Sequence, residues 1–251
     1  MRLWPGTFIP LFLTVFLFFH FSYGSPITCT SALQKATPLK LVNSNQFFTS
    51  RNLAEYIGGF LPGFKNSLDK LKSHEVWIDL GSGKGKAALE FLRSQKNINE
   101  SPQVLLITLN SGRWSSWPNF SGKLKVVEGL LFEDMTADQI PQAKMITDFF
   151  GVLSYTLDLT KTLNQIFDHL QAEGELFLYS NHSYTMIEAG QGKIMGLTEF
   201  LRSIPGIKVE GQFGILKVTK TAQQIQVPSL ELLKLDVTTR PIFRRFALIH
   251  N

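Results

Sequence analysis

Cysteine is almost missing from this chain. Cys29 is the single one in 251 residues, which excludes an internal disulfide and any metal site built on cysteines. Histidine is scarce and scattered, at His20, His74, His169, His182 and His250, with no pair at metal-ligand spacing, so no metal is expected. Charge is sparse: 18% of residues are charged, and the net charge of +5 is spread along the chain. Nucleic-acid binders gather such charge into a patch, so there is no specific nucleic-acid signal here. No internal repeat or low-complexity tract is found. What the chain does have is apolar material, 44% of it, which excludes a disordered protein and suffices for one sizeable core.

The first block of that material is a leader, "MRLWPGTFIPLFLTVFLFFHFSYGS". Arg2 precedes a dense apolar stretch from Leu11 to Phe19, and Ser22 and Gly24 supply small residues for cleavage before Ser25. That order predicts a signal peptide over residues 1–24 and export to a periplasm or the exterior. The alternative is an uncleaved membrane anchor over residues 3–23, nearly long enough to span a bilayer. Membrane contact is expected only through that segment.

Residues 25–70 read as an irregular and helical extension. Leu53, Tyr56 and Ile57 stand at helical spacing with Ser50 as a cap, and "GGFLPG" at 58–63 ends that helix. Phe64, Leu68 and Leu71 mark a second short helix. From residue 71 to 251 the pattern is that of one domain. Strands are predicted at 76–80, 103–109, 124–127, 144–148 and 174–180, with helical stretches at 85–95, 134–139, 158–171 and 190–203. Apolar strands alternating with helices predict an α/β fold, a mostly parallel sheet covered on both faces. The last fifty residues read as strands joined by turns, so the sheet should finish antiparallel. The basic "RPIFRR" at 240–245 fits a solvated strand edge as well as a binding patch.

One loop stands out, "VWIDLGSGKGKAALEFL" at 76–92. Glycine after a strand lets backbone approach a ligand, and the following helix offers free N–H groups. Spacing separates three readings. A P-loop needs Gly-x4-Gly-Lys-Ser/Thr, but Leu80 replaces the first glycine and Ala87 follows Lys86. A dinucleotide loop needs G-x-G-x-x-G/A, but Lys86 takes the third place and no acid closes the second strand. What fits is D-x-G-x-G-x-G, with Asp79, Gly81, Gly83 and Gly85.

In that form the segment resembles motif I of the class I S-adenosylmethionine-dependent methyltransferases, which have a Rossmann-like, seven-stranded sheet. "KMITDFFGVLSY" (144–155) looks like the family's fourth strand and following loop, and "HLQAEGELFLYSN" (169–181) like its helix–turn–strand after the active site. The resemblance covers roughly residues 64–251 in element order, and motif I is its specific part. It implies S-adenosylmethionine as cofactor, with Asp79 reaching the methionine end, Gly81 and Gly83 making room, and Ser82 and Gly85 completing the loop. Two places depart from the family pattern. Leu109 and Asn110 stand where a carboxylate usually meets the ribose, leaving Asn110 to accept one hydrogen bond. Leu130 stands where an Asp often meets adenine, leaving Glu128 or Glu133 as substitutes, of which Glu128 is taken here.

Methyl transfer is an in-line displacement in which the protein mainly orients the acceptor; a base is needed only where the acceptor must lose a proton. Asp148, ending the fourth strand, and His182, after the fifth, are the catalytic candidates. Asp148 has a loop-capping role as its alternative, and His182 a place on the surface. Phe149, Phe150, Tyr155 and Tyr184 either wall the pocket or serve the core and surface. The acceptor cannot be read. The expectation is thus a methyltransferase with an unidentified acceptor. The alternative is a non-catalytic binding protein that keeps the fold, and a dehydrogenase stands third.

Overall fold

The computed structural model describes residues 27–28, 51–109, 120–180, 185–236 and 243–249. The leader, Cys29, Asn110, His182 and Tyr184 lie outside these described residues. A two-residue strand, β1 (Ile27–Thr28), comes first, followed by helices α1 (Leu53–Gly59) and α2 (Phe64–Asp69). The cap of α1 is Asn52 rather than Ser50. Its side chain accepts the Glu55 N–H at 2.8 Å, and the Glu55 carboxylate accepts the Asn52 N–H at 2.6 Å, a reciprocal capping box.

The chain then continues through β2 (Val76–Leu80), α3 (Lys86–Ser94), β3 (Gln103–Thr108), β4 (Leu124–Glu128), β5 (Ala143–Phe149), α4 (Val152–Tyr155), α5 (Leu159–His169) and β6 (Leu170–Tyr179), with short 3-10 turns in place of the helix expected at 134–139. The remainder is β7 (Thr185–Glu188), β8 (Ile194–Gly196), α6 (Leu197–Ser203), β9 (Ile207–Gln212), β10 (Ile215–Lys220), β11 (Leu230–Asp236) and β12 (Phe243–Leu248). Seven strands form one sheet in the order β4-β3-β2-β5-β6-β10-β9. The first five are parallel, and β10 runs antiparallel to both β6 and β9. This is a Rossmann-like α/β fold with an antiparallel end, as the alternation predicts.

A second, five-stranded sheet, β1-β11-β12-β7-β8, was not foreseen. Its β8 also shortens the helix expected at 190–203, which begins only at Leu197. The apolar residues there fit a helical period, but Gly190 and Gly192 adopt left-handed φ of 83° and 75° and turn the chain into the β7–β8 hairpin. Among the described residues no helix is long and apolar enough to cross a membrane.

All five residues of β2 are buried, and their alternation distributes them between two cores. Val76, Ile78 and Leu80 join α5, α6 and the second sheet on one face of the main sheet, whereas Trp77 joins α1, α2 and α3 on the other. Asp79 shares the Trp77 face, beneath α1. In β5 the same alternation puts Thr147 on that face with Met145 and Phe149, and Asp148 on the opposite one with Ile146.

Candidate functional site

The sheet order reverses at β2: β3 and β4 lie to one side of it, β5 and β6 to the other. In open α/β sheets the crevice at the carboxyl ends of the strands, at such a switch point, is where ligands bind. The loops after β2 and β5 meet at that point. In the first, Gly81, Gly83 and Gly85 have φ of 64°, 55° and 55°, a left-handed series that disfavours residues with a side chain. The turn is closed by the Gly85 N–H on the Ser82 carbonyl (2.8 Å), and the Ser82 N–H ties it to the Ile107 carbonyl of β3 (3.1 Å). Ser82 itself is buried. The room made at Gly81 has an occupant from the protein: a Cβ there would lie 2.5 Å from Cα of Gly151, in the other loop. Gly151 is equally constrained, since its own Cβ would lie 2.3 Å from the Leu80 carbonyl oxygen. The two loops are in backbone contact.

Asp79 is fully buried. The register that sets it beside Thr147 brings the Thr147 hydroxyl to its Oδ1 at 2.7 Å, and the Trp77 indole N–H in turn donates to Thr147 Oγ1 at 2.8 Å. Tyr56, from α1, donates its hydroxyl to the carboxylate, 3.1 and 3.0 Å from the two oxygens. Burial pushes the Asp79 carboxyl up to about 7, against the opposing pull of the Thr147 and Tyr56 hydrogen bonds. Burial, with the Asp79 charge next to it, also holds the Tyr56 hydroxyl well above the usual tyrosine range.

Asp148 is also fully buried, but it serves its own loop. One carboxylate oxygen accepts the Gly151 N–H at 2.6 Å and the other the Leu153 N–H at 2.8 Å. Burial raises it to about 6, against the two amides and the charges of Arg244 and Arg51. Of its two expected roles, this geometry describes the loop cap. His182 lies outside the described residues.

Two arginines approach this end of the sheet from opposite faces. Arg244, in β12, is 1% exposed, which excludes the solvated strand edge as its setting. Its guanidinium donates to the carbonyls of Thr156 and Leu153 (2.7 Å to the latter) and to Thr185 Oγ1 at 2.7 Å, so it clamps the second sheet to the loop carrying Asp148. Burial lowers it to about 10. Arg51, just before α1, sits at the rim. Its Nη1 donates to the Phe149 carbonyl at 3.1 Å, and its Cζ lies 4.5 Å from the Phe149 ring centre and 5.2 Å from that of Phe150. Phe150 has a left-handed φ of 52°, rare for an aromatic residue, and stacks at 4.6 Å on Tyr179.

On the β3–β4 side, Thr108 and Glu128 are register partners at the carboxyl edge. Glu128 Oε1 is buried and has no hydrogen-bond partner among the described residues. The next residue, Gly129, faces open space where a Cβ would stand. Glu133, the other acid considered for this side, turns away and accepts the Thr156 hydroxyl at 3.1 Å. Leu109 and Leu130 are exposed at the rim, and Asn110 lies outside the described residues.

Sequence reasoning thus placed Asp79, the glycine loop, Glu128 and Asp148 along one edge, and missed Tyr56, Thr147, Arg51 and Arg244 as their neighbours. A signal for Arg244 was present: it alternates with Phe246 on one strand face, and Phe246 is buried. Nothing local marks Tyr56 as the partner of an aspartate 23 residues away.

No protein-family model matches this chain, and no curated protein matches it. Solved structures do. It is similar to MNMC2 from Aquifex aeolicus (TM-score 0.43, 14% identity, 69% of this chain and 62% of that one). It is similar to the CurJ carbon methyltransferase (0.41, 13%, 75% and 62%) and to the glycopeptide N-methyltransferase MtfA, solved with S-adenosylhomocysteine (0.36, 13%, 88% and 81%). The chain therefore spans under two thirds of the length of the first two. At such TM-scores the likeness decides nothing about this chain's chemistry.

Proposed function

We propose that this protein binds S-adenosylmethionine at the carboxyl edge of β2 and acts as a methyltransferase on an acceptor still to be identified. The observation that carries the reading is the D-x-G-x-G-x-G loop, left-handed at all three glycines and set at the switch point of the sheet. The residues present fit such a cofactor. The buried Oε1 of Glu128, without a partner among the described residues, is an acceptor suited to a ribose hydroxyl or an adenine amino group, and Gly129 leaves space beside it. When bound, the cofactor supplies the electrophilic methyl group. The chain's own work is then to orient: the glycine loop offers backbone, Glu128 a hydrogen-bond acceptor, and the Phe149–Phe150–Tyr179 cluster an aromatic wall at the end of β5. Asp79 acts through Tyr56 and Thr147, fixing the loop base from beneath.

A second reading is favoured by one observation. Both oxygens of Asp148 are engaged by loop amides, so it is not poised as a base. A non-catalytic binding protein on the same fold fits that arrangement, and a methyltransferase whose acceptor needs no base fits it as well. The leader adds a location: we infer export after cleavage before Ser25, with residues 25–70 as an extension of the cofactor-binding domain. N-terminal sequencing of the soluble form tests this, an intact Met1 on a membrane-bound chain being the adverse result.

The deciding experiment is a calorimetric titration with S-adenosylmethionine. Wild type should bind, and Gly83→Val should lose binding while melting like a folded protein, because a β-branched residue cannot readily adopt the left-handed φ of 55°. Equal binding by both proteins, or none by wild type, removes the cofactor assignment.

A further inference from the structure

We propose that the carboxyl edge of the main sheet is a docking surface for the face of a lipid bilayer, whether or not a cofactor enters beside the glycine loop. Among the described residues six large apolar side chains are exposed: Ile57, Leu109, Leu130, Ile194, Phe213 and Ile249. Four of them belong to this edge. Leu109 follows the last residue of β3, and Leu130 comes two residues after the end of β4. Phe213 is in the turn between β9 and β10, next to the end of β6, because Ile215 pairs with Tyr179 and the Ser180 N–H reaches the Gly214 carbonyl at 2.7 Å. Ile57 is carried by α1, whose Tyr56 reaches Asp79 and whose Gly59 abuts the Phe149 ring.

Phe213 is the most telling of the four. Gln212 pairs with Ile215, so Phe213 and Gly214 make a two-residue hairpin turn, and both have left-handed φ, 53° and 74°. Such a turn favours Asn, Asp or Gly at its first place, because a bulky side chain is disfavoured at positive φ. A phenylalanine there, 69% exposed, carries a backbone cost that burial within the protein does little to offset. Insertion of the ring into an apolar phase outside the protein would offset it.

The path of the chain points to a bilayer rather than to a protein partner. β1 runs antiparallel to β11, with Ile27 opposite Leu235 and Thr28 opposite Lys234, so the chain arrives from the Asp236 end of β11. Asp236 pairs with Phe243, and the next residue, Arg244, reaches the Leu153 carbonyl just beyond β5. Only Gly24, Ser25 and Pro26 separate the leader's apolar residues from β1. The next described stretch begins with Arg51 on the Phe149 carbonyl, again at this edge. A leader that meets a bilayer, whether cleaved or kept, therefore presents this end of the fold to it. Apolar side chains on four separate segments suit that surface, since a bilayer accepts scattered tips where a protein partner needs a matched contiguous patch. Charge adds little: Lys86, at the start of α3, pairs with Glu90 at 3.8 Å.

The test is flotation of residues 25–251, the product of cleavage before Ser25, which keep every described residue. This protein should float with vesicles of phosphatidylcholine alone and stay bound when the salt is raised. Phe213→Ser and Leu130→Ser, both at exposed positions, should each weaken partitioning by about 5- to 20-fold, and the pair by more. Ile194→Ser and Ile249→Ser provide the contrast. They lie at the end of the second sheet opposite Arg244 and should change partitioning by less than about twofold. Melting temperatures should match the unsubstituted protein throughout. No flotation of that protein, equal losses at both sets of positions, or binding that needs phosphatidylglycerol and vanishes at high salt overturns the proposal. So does a lipid-free dimer that Phe213→Ser dissociates, which would assign the edge to a second copy of the chain.

Discussion

Asp79 and Asp148 are the next-to-last residues of neighbouring strands, and both are fully buried with raised carboxyl pKa, yet they are held in opposite ways. Asp79 faces the α1 side of the sheet and is satisfied by side chains, Tyr56 and Thr147, one of them from a helix that precedes the sheet. Asp148 faces the other side and is satisfied by the backbone of its own loop. The first is a tertiary joint, and the second is a local cap that Arg244 then anchors from the second sheet. Being one register step apart on a pleated strand pair is what separates them, because adjacent positions point to opposite faces. A carboxylate at a strand end is therefore not one kind of object, even within one crevice.

The comparison is broken most forcefully at the cap. Asp148→Ala leaves two buried amides without an acceptor, at about 1–3 kcal/mol each, so denaturant titration should show a loss of about 2–6 kcal/mol. Asp148→Asn keeps one acceptor and should fall between. A loss under about 1 kcal/mol for the alanine variant would mean that the loop does not depend on its cap.

The joint should give less. Tyr56→Phe removes one hydroxyl and keeps the ring packed between Phe60 and Phe149, so about 1–2 kcal/mol is expected. Its particular mark is regional: hydrogen exchange should quicken across residues 53–59 while α5 stays protected. Uniform acceleration, or none in α1, would show that Tyr56 is not what fastens the helix.

Asp79→Asn is the mildest change in shape, and its effect lies in the pH profile. The Asp79 carboxyl rises from 3.8 to about 7 on folding, so between those values the native state keeps a proton that the unfolded chain releases. Stability from this group is then full below about pH 4 and is lost as the pH rises through about 7. Wild type should lose melting temperature relative to Asp79→Asn between pH 5 and pH 8. Asp148, shifted the same way, is common to both proteins and drops out of the difference. Parallel profiles would place the Asp79 carboxyl in its ordinary range.

Much of this arrangement was legible in the sequence. The β2–loop–α3 unit and the parallel strands announce themselves by local rules: apolar runs, glycine at fixed offsets and helical period. Asp79 and Asp148 could be placed at strand ends for the same reason. Their partners could not, because hydrogen bonding between Tyr56 and Asp79 depends on where α1 docks, and that is decided by packing. The second sheet was hidden for another reason: β7 and β8 have four and three residues, too short to show alternation, and the apolar positions of β8 run on in a helical period. Arg244 was misjudged on residue type alone. An arginine fully inside is rare unless its donors are met; here two carbonyls from the loop after β5 and the Thr185 hydroxyl meet the two Nη groups, and Nε has no partner among the described residues.

The chain of donors that ends on Asp79 starts at an indole. Trp77 is fully buried, and its N–H reaches the carboxylate through a single hydroxyl, that of Thr147. A tryptophan emits according to the polarity around its ring and the state of its N–H, so this protein carries an optical reporter wired to the base of its glycine loop. Its emission, isolated by subtracting a Trp77→Phe control, should follow the protonation of Asp79 without any label attached near the loop.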